Sequence, residues 1–312
     1  MMDASTLKKC LVVLTKNVYF CGASSSDIPP KPQGTVVAMD KTSVAKGSMA
    51  NFIKTMMNKL KWPLLVASAT ASLGLMGAAK ASSGLPAVAY VNGWVGAAAD
   101  YLHDNRGSGT RGSSGAGGIG EAGIDFPLTH DFALQFHGYD GAAGGRNLQS
   151  IDGILFWRNP ALGLLGPHAM YTKSGTFHHG LFGLHGEYYF SNWTLTGEGG
   201  GVSRSDDSST GYGEAIVSWY AVPDWRIYLG GIVIDDNVGG ELGTEYQMCL
   251  GALPALSVFA DVGAGSHDLS YAFLGLRYYF GGPYKTLIQR HREDMDPPTL
   301  DLLVMNQHEN NT

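Results

Sequence analysis

Between residues 88 and 280 the chain alternates apolar residues with polar or small ones in twelve short runs, and this period of two most restricts how it can fold. Side chains at successive positions of a strand point to opposite sides, so each run has two distinct faces. The runs lie near 88–102, 116–127, 131–140, 149–158, 163–173, 177–190, 193–204, 210–222, 225–235, 238–249, 256–265 and 269–280. In the last, Ala272, Leu274, Leu276, Tyr278 and Phe280 share one face, and Tyr271, Gly275, Arg277 and Tyr279 the other. In 210–222, Ala215, Val217 and Trp219 oppose Glu214, Ser218 and Tyr220; in 225–235, Ile227, Leu229 and Val233 oppose Arg226 and Tyr228. One face is apolar throughout, and the other mixes charge, aromatic rings and glycine. With 44 Gly in 312 residues, long helices are disfavoured, and the chain reads as all-β.

The connections sort into two sets. Pro127-Leu128-Thr129-His130, Asn159-Pro160-Ala161, Ser191-Asn192, Pro223-Asp224 and the region of Pro254 are short and turn-like. Residues 103–115, 141–148, 205–209, 235–237 and 265–270 are polar and often longer. Most runs match the roughly 9–11 residues a tilted strand needs to cross a bilayer. Phe126, Trp157, Tyr188, Tyr189, Phe190, Trp193, Trp219, Tyr220, Trp225 and Tyr278–Phe280 gather by the short turns. Amphipathic rings favour a membrane–water interface. The pattern predicts a closed, transmembrane, antiparallel up-and-down β-barrel of about 12 strands over 82–280, apolar face outward.

Charge separates the barrel from what precedes it. Residues 1–81 hold 10 Lys and Arg against Asp3, Asp27 and Asp40, whereas 82–312 hold 11 against 24 acids. Lys54, Lys59 and Lys61 precede an apolar run from Trp62 to Gly77, and Ala79-Lys80-Ala81 supplies the small residues of a cleavage site. Residues 49–81 thus read as a signal peptide cut after Ala81, and 1–48 as an over-extended or unstructured leader. Cys10 and Cys21 fall in that leader, leaving Cys249 with no internal partner and no metal-type spacing.

The leader, the even strand count and the final run Ala272-Phe273-Leu274-Gly275-Leu276-Arg277-Tyr278-Tyr279-Phe280 resemble a bacterial, Gram-negative outer-membrane β-barrel protein of porin-like type. The resemblance implies outer-membrane lipid and the barrel-assembly machinery as partners, with Gly275, Tyr278 and Phe280 as the assembly signal. Such a signal usually ends the chain, yet 32 residues follow Phe280 here. Residues 281–312, with Gln289-Arg290-His291-Arg292-Glu293-Asp294 and Pro297-Pro298, read as a loose periplasmic tail. The stretch 299–305 is an alternative plug or partner-binding segment.

The inward face is expected to carry Glu121, Asp125, Asp152, His185, Glu187, Glu198, Glu214, Glu241, Glu245 and Asp261, with Arg158, Arg226 and Arg277 as the basic partners. Two readings are open: a weakly cation-selective channel for small solutes or ions, or a closed structural barrel whose polar groups pair and fill the inside. An outer-membrane hydrolase would draw on His267-Asp268 or Asp235-Asp236 at the extracellular rim, but separate loops supply no geometry, and no catalytic residue is assigned. His178-His179 read as surface histidines. A secreted soluble β-sandwich is the remaining alternative. Gly117-Gly118-Ile119-Gly120 and Gly199-Gly200-Gly201 lack the strand-to-helix setting of a phosphate loop, so neither a cofactor nor a metal is expected. A net charge of −6 argues against nucleic acid as a partner.

Overall fold

The computed structural model describes residues 84–103, 114–175, 177–204, 209–235, 237–250, 253–266, 268–294 and 296–297. The leader, the signal peptide, Asp236, His267 and residues 298–312 lie outside them. Twelve strands follow one another: β1 (Asn92–His103), β2 (Gly115–Pro127), β3 (Phe132–Ala143), β4 (Arg146–Asn159), β5 (Gly163–Ser174), β6 (Phe177–Phe190), β7 (Trp193–Arg204), β8 (Ser209–Val222), β9 (Trp225–Ile234), β10 (Asn237–Leu250), β11 (Leu253–Gly265) and β12 (Ser270–Phe280). Each pairs antiparallel with its sequence neighbours, and β1 pairs with β12 from Gly93–Phe280 to His103–Ser270, closing the barrel. Closure leaves no open sheet edge, which a bilayer would not tolerate.

The alternation read from the sequence fixes the two sides of this wall. On β12, Leu274 is 62% exposed and Leu276 51%, whereas Tyr271, Phe273, Arg277 and Tyr279 are buried inside. Phe136, Ile151, Leu155, Phe182, Leu184, Leu195, Val217, Leu229, Leu242 and Val262 continue the apolar exterior around the barrel. By the short turns, the exposed rings of Tyr188, Phe190, Trp193 and Trp219 stack in a row with centroids 5.9, 6.5 and 6.0 Å apart. An apolar exterior of this size, rimmed by aromatics, is matched to lipid and not to water.

Three local expectations are corrected. The polar connections are not uniformly long: Gly144-Gly145, both at positive φ, turn β3 into β4 within two residues, so both strands run into what reads as a loop at 141–148. Residues 88–91 do not pair in β1. Gly84–Val91 instead crosses the inside of the short-turn end, where Ala87 and Val88 are buried against Ala133, Ile154, Phe156 and Leu164. The Ala87 N–H donates to the His130 carbonyl at 2.6 Å.

The third concerns the tail. Residues 285–294 are not loose: Leu287–Glu293 form helix α1, whose Leu287, Arg290 and His291 are buried. The Gln289 side chain accepts the Thr286 N–H at the helix start. The Leu287 and Ile288 N–H groups are taken by the Asp224 carboxylate at 3.1 Å and the Pro223 carbonyl at 2.9 Å. The helix is thereby seated on the β8–β9 turn and packs with Trp94, Tyr220, Ala255 and Tyr279 at the short-turn end of the lumen.

Candidate functional site

Eleven of the thirteen inward residues named from the sequence are buried inside the wall, and His185 and Glu214 are half-buried there. Most of them join one belt of alternating acids and bases. On one side, the His185 ring lies 3.3 Å from Glu187 and 2.8 Å from Glu198, and His168 lies 2.7 Å from Glu198 and 3.8 Å from Asp152. His137 follows at 2.7 Å from Asp152 and 3.9 Å from Glu121. Arg277 then donates to Glu121 at 2.8 Å and to Glu245 at 2.9 Å.

Tail residues continue the belt. His291 lies 3.9 Å from Glu245 and 3.7 Å from Asp296, and Asp296 accepts from Arg226 at 2.6 Å. Arg226 Nε in turn donates to Ser218 Oγ at 3.0 Å. Tyrosines fill remaining acceptor positions: Tyr189 donates to Glu187 and Tyr212 to Glu198, each at 2.6 Å, Tyr279 to Glu245 at 2.8 Å, and Tyr228 to Asp261 at 2.5 Å. Glu241 accepts from Tyr271 at 3.4 Å. Asp125 stands apart, fully buried, with no hydrogen-bond partner for either oxygen among the described residues.

His137, His168, His291 and Asp296 were not singled out from the sequence. Face parity alone would have found two of them: His137 falls two residues from the inward Gln135 and Tyr139, and His168 lies two residues from Met170. His179 is also buried, against its reading as a surface residue, while His178 is exposed. Asp235 and Asp268 occupy turns at positive φ, and the other two rim candidates, Asp236 and His267, lie outside the described residues. No group of three His, Cys, Asp or Glu among those residues is arranged to hold a metal ion.

Beside the belt lies a cavity of about 70 Å³, lined by residues of β3 to β9 that include His137, Asp152, Arg158, His168, Glu198 and Glu214, and by Asp296 and Pro297 of the tail. Arg158 donates to the Asp294 carbonyl and, at 3.3 Å, to that of Ala87, so it clamps both segments that flank the barrel strands. Lys285 reaches Asp294 at 2.6 Å, Arg290 donates to Gln247 at 2.8 Å, and Tyr220 shares a 2.8 Å hydrogen bond with His291. Burial and the surrounding Arg226, Arg277, Arg290 and Arg158 hold the His291 imidazole well below its ordinary pKa, so it sits neutral between Tyr220 and Tyr279. Burial pushes the Asp296 carboxyl up to about 6, against the pull of Arg226. On the outer side of the belt the lumen is apolar, packed with Leu102, Ile119, Leu148, Leu181, Val202, Ile234, Phe259 and Phe273.

No protein-family model matches the sequence, and no curated protein is similar to it. Among solved structures, a KdgM porin in complex with disordered oligogalacturonate is similar over 59% of this chain and 99% of its own, at 11% identity and a TM-score of 0.44. The translocator domain of the autotransporter NalP from Neisseria meningitidis covers 69% and 98%, at 14% identity and 0.41. A loop-deletion mutant of OmpT, an outer-membrane protein of Vibrio cholerae, covers 61% and 98%, at 10% and 0.30. The closed antiparallel ladder, the lipid-matched exterior and the aromatic girdle make the chain a closed, twelve-stranded up-and-down β-barrel of the membrane-spanning kind.

Proposed function

We propose that the protein is an outer-membrane channel for small solutes or ions, held closed by its own C-terminal segment from the periplasmic side. The observation that carries this reading is a space inside the barrel, beside the charged belt, whose lining includes Asp296 and Pro297 from the segment that follows α1. A permanently structural barrel has no need for a separate stopper, since its wall can be packed directly. Nine carboxylates stand against three arginines among the inward residues named above, so the open form prefers cations. Assembly through the final strand, by Gly275, Tyr278 and Phe280, belongs to the same proposal.

Planar-bilayer recording of the refolded full chain tests it. The expected record is long silence in the wild type and frequent discrete steps in Leu287→Asp, which places a charge where Leu287 is wholly buried. Reversal potentials in a salt gradient should favour the cation. An inserted Leu287→Asp barrel that stays silent would refute the channel. The alternative it would favour is a closed structural barrel, to which the apolar cluster on the outer side of the lumen already points.

A further inference from the structure

The outer face of the wall is not evenly covered by side chains. On β7 and β8 the outward positions pair as Gly201 with Gly211, Gly199 with Gly213 and Gly197 with Ala215, so nothing larger than a methyl group stands on this stretch. A Cβ built on Gly201 or Gly211 would have its nearest neighbour 3.9 or 3.8 Å away, in each case a backbone oxygen of the sheet itself. Both positions therefore lie open. On β6, Phe182 and Leu184 rise beside them, 66% and 50% exposed, and Val233 stands on the β9 side. Leu195 and Val217, opposite each other and both exposed, close the end nearer the short turns. The outcome is an apolar groove two strands wide, running along β7 and β8.

Length and charge say what fits it. From Gly197 to Ser203 the floor is about 20 Å long at a strand rise of ~3.4 Å per residue. At a strand tilt of roughly 40° this descends about 15 Å, half of a hydrocarbon core ~30 Å thick and so the depth of one leaflet. The mouth lies at the end away from the short turns, in one row with the exposed ring of Tyr171: Tyr171 pairs with Gly180, Gly180 with Ser203, and Ser203 with Ser209. A tyrosine there marks the membrane–water interface. One row further out, Lys173 and His178 face each other on β5 and β6, both exposed, the His178 ring 6.1 Å from that of Tyr171. Among the described outward residues of β5 to β8 these are the only basic side chains, and no acid accompanies them. Asp235 stands on the other side of the mouth, where its N–H donates to the Gly211 carbonyl at 3.2 Å, so a negative headgroup is steered toward Lys173. We propose that this groove seats one acyl chain of a phosphate-bearing, anionic lipid of the outer leaflet, whose phosphate is held by Lys173 and His178. The site goes beyond the channel reading and requires only that the barrel spans the membrane.

Native mass spectrometry of the refolded full chain in detergent, titrated with phosphatidylglycerol or with phosphatidylcholine of the same acyl chains, tests this without requiring conduction. The first phosphatidylglycerol should bind at least fivefold more tightly than the first phosphatidylcholine. The double variant Lys173→Gln, His178→Gln changes only exposed side chains and should abolish that preference. Gly201→Leu with Gly211→Leu fills the groove and should weaken phosphatidylglycerol at least fivefold, whereas Ala272→Leu, which adds similar bulk to the exposed face of β12, should leave it unchanged. Glycerol phosphate, a headgroup without chains, should not displace the bound lipid. Equal affinity of the wild type for the two lipids, or a preference that survives loss of Lys173 and His178, overturns the headgroup site. Undiminished binding by the leucine pair, or equal weakening by Ala272→Leu, overturns the groove. Displacement by glycerol phosphate would mean a free-phosphate site, and a wild-type dimer dissolved by the leucine pair would give the groove to a second copy of the chain; either result overturns the lipid.

Discussion

Gly123 has no side chain, and the indole of Trp94 occupies the space: a Cβ built there would lie 1.9 Å from the ring. Trp94 is wholly buried and stacks on His137 at 5.4 Å, so Gly123 supports one corner of the belt. Gly123→Val should therefore displace the indole and destabilise the barrel by about 1–3 kcal/mol, the usual cost of overpacking, read as a lower urea midpoint of tryptophan fluorescence. The rule that strand glycines admit neighbouring side chains is legible in the sequence; which ring each one admits is not, because the pairing register decides it. Titration at this scale follows from His291. Its docked form resists protonation, whereas a released imidazole protonates near its ordinary value of 6.5, so docking is strongest above that pH and weakens as pH falls. Asp296 has the opposite sign, because the docked carboxyl takes its proton near 6 and the released one only near 3.8. The groups facing them, Tyr220, Tyr279, Glu245 and Arg226, are common to both. Wild-type docking should thus change little between pH 6 and 4, whereas Asp296→Asn should lose about tenfold in docking equilibrium per pH unit below 6.5. Fluorescence of a label on the tail measures both slopes, and equal slopes would contradict the assignment.

At the scale of elements, the twelve strands and their faces could be read from alternation, whereas the fate of both flanking segments could not. Gly84–Val91 carries the same apolar spacing as a strand, and spacing does not say whether a neighbour is free to pair. Helix α1 was opaque for a different reason. Gln289, Arg290, His291 and Arg292 read as solvated, yet each basic group finds a partner from a distant strand: Arg290 lies over Tyr279 at 5.2 Å, and Arg292 over Tyr189 at 5.3 Å while donating to the Ser191 and Trp193 carbonyls. A helix of seven residues is unstable alone, so its stability comes from this docking. Leu287 anchors it and is fully buried. Leu287→Ala should weaken docking by about 2 kcal/mol or more, close to a thirtyfold rise in the released population. Limited trypsin digestion should then cut at Arg290 and Arg292 correspondingly faster while the barrel stays intact. Unchanged cleavage would mean that the basic contacts, and not Leu287, hold the tail.

For the whole molecule, the critical junction is where the first and last strands meet, because β1 and β12 pair across the greatest separation in sequence and close last in any sequential route. Arg277 on β12 spans that seam. It reaches over β1 to Glu121 on β2, and over β11 to Glu245 on β10, linking five consecutive strands from inside. Gly96 makes the first reach possible: it lies opposite both Glu121 and Arg277 in the ladders, and a Cβ there would come within 2.5 Å of the Glu121 carboxylate. Removing the arginine alone takes the shared guanidinium from two buried carboxylates, leaving Glu245 its hydrogen bonds from Ser257 and Tyr279, and loss of such a buried cation typically costs about 3–5 kcal/mol. Arg277→Met should lower the unfolding free energy by that amount, read as a lower urea midpoint at unchanged slope, and reduce the fraction that migrates as folded barrel in unheated gels. The triple variant Arg277→Met, Glu121→Gln, Glu245→Gln should recover most of the loss, since neutral groups bear the buried setting at less cost. Gly96→Val should mimic the single variant by holding Glu121 away from Arg277, and a Gly96→Val barrel as stable as the wild type would show that the seam closes on backbone pairing alone.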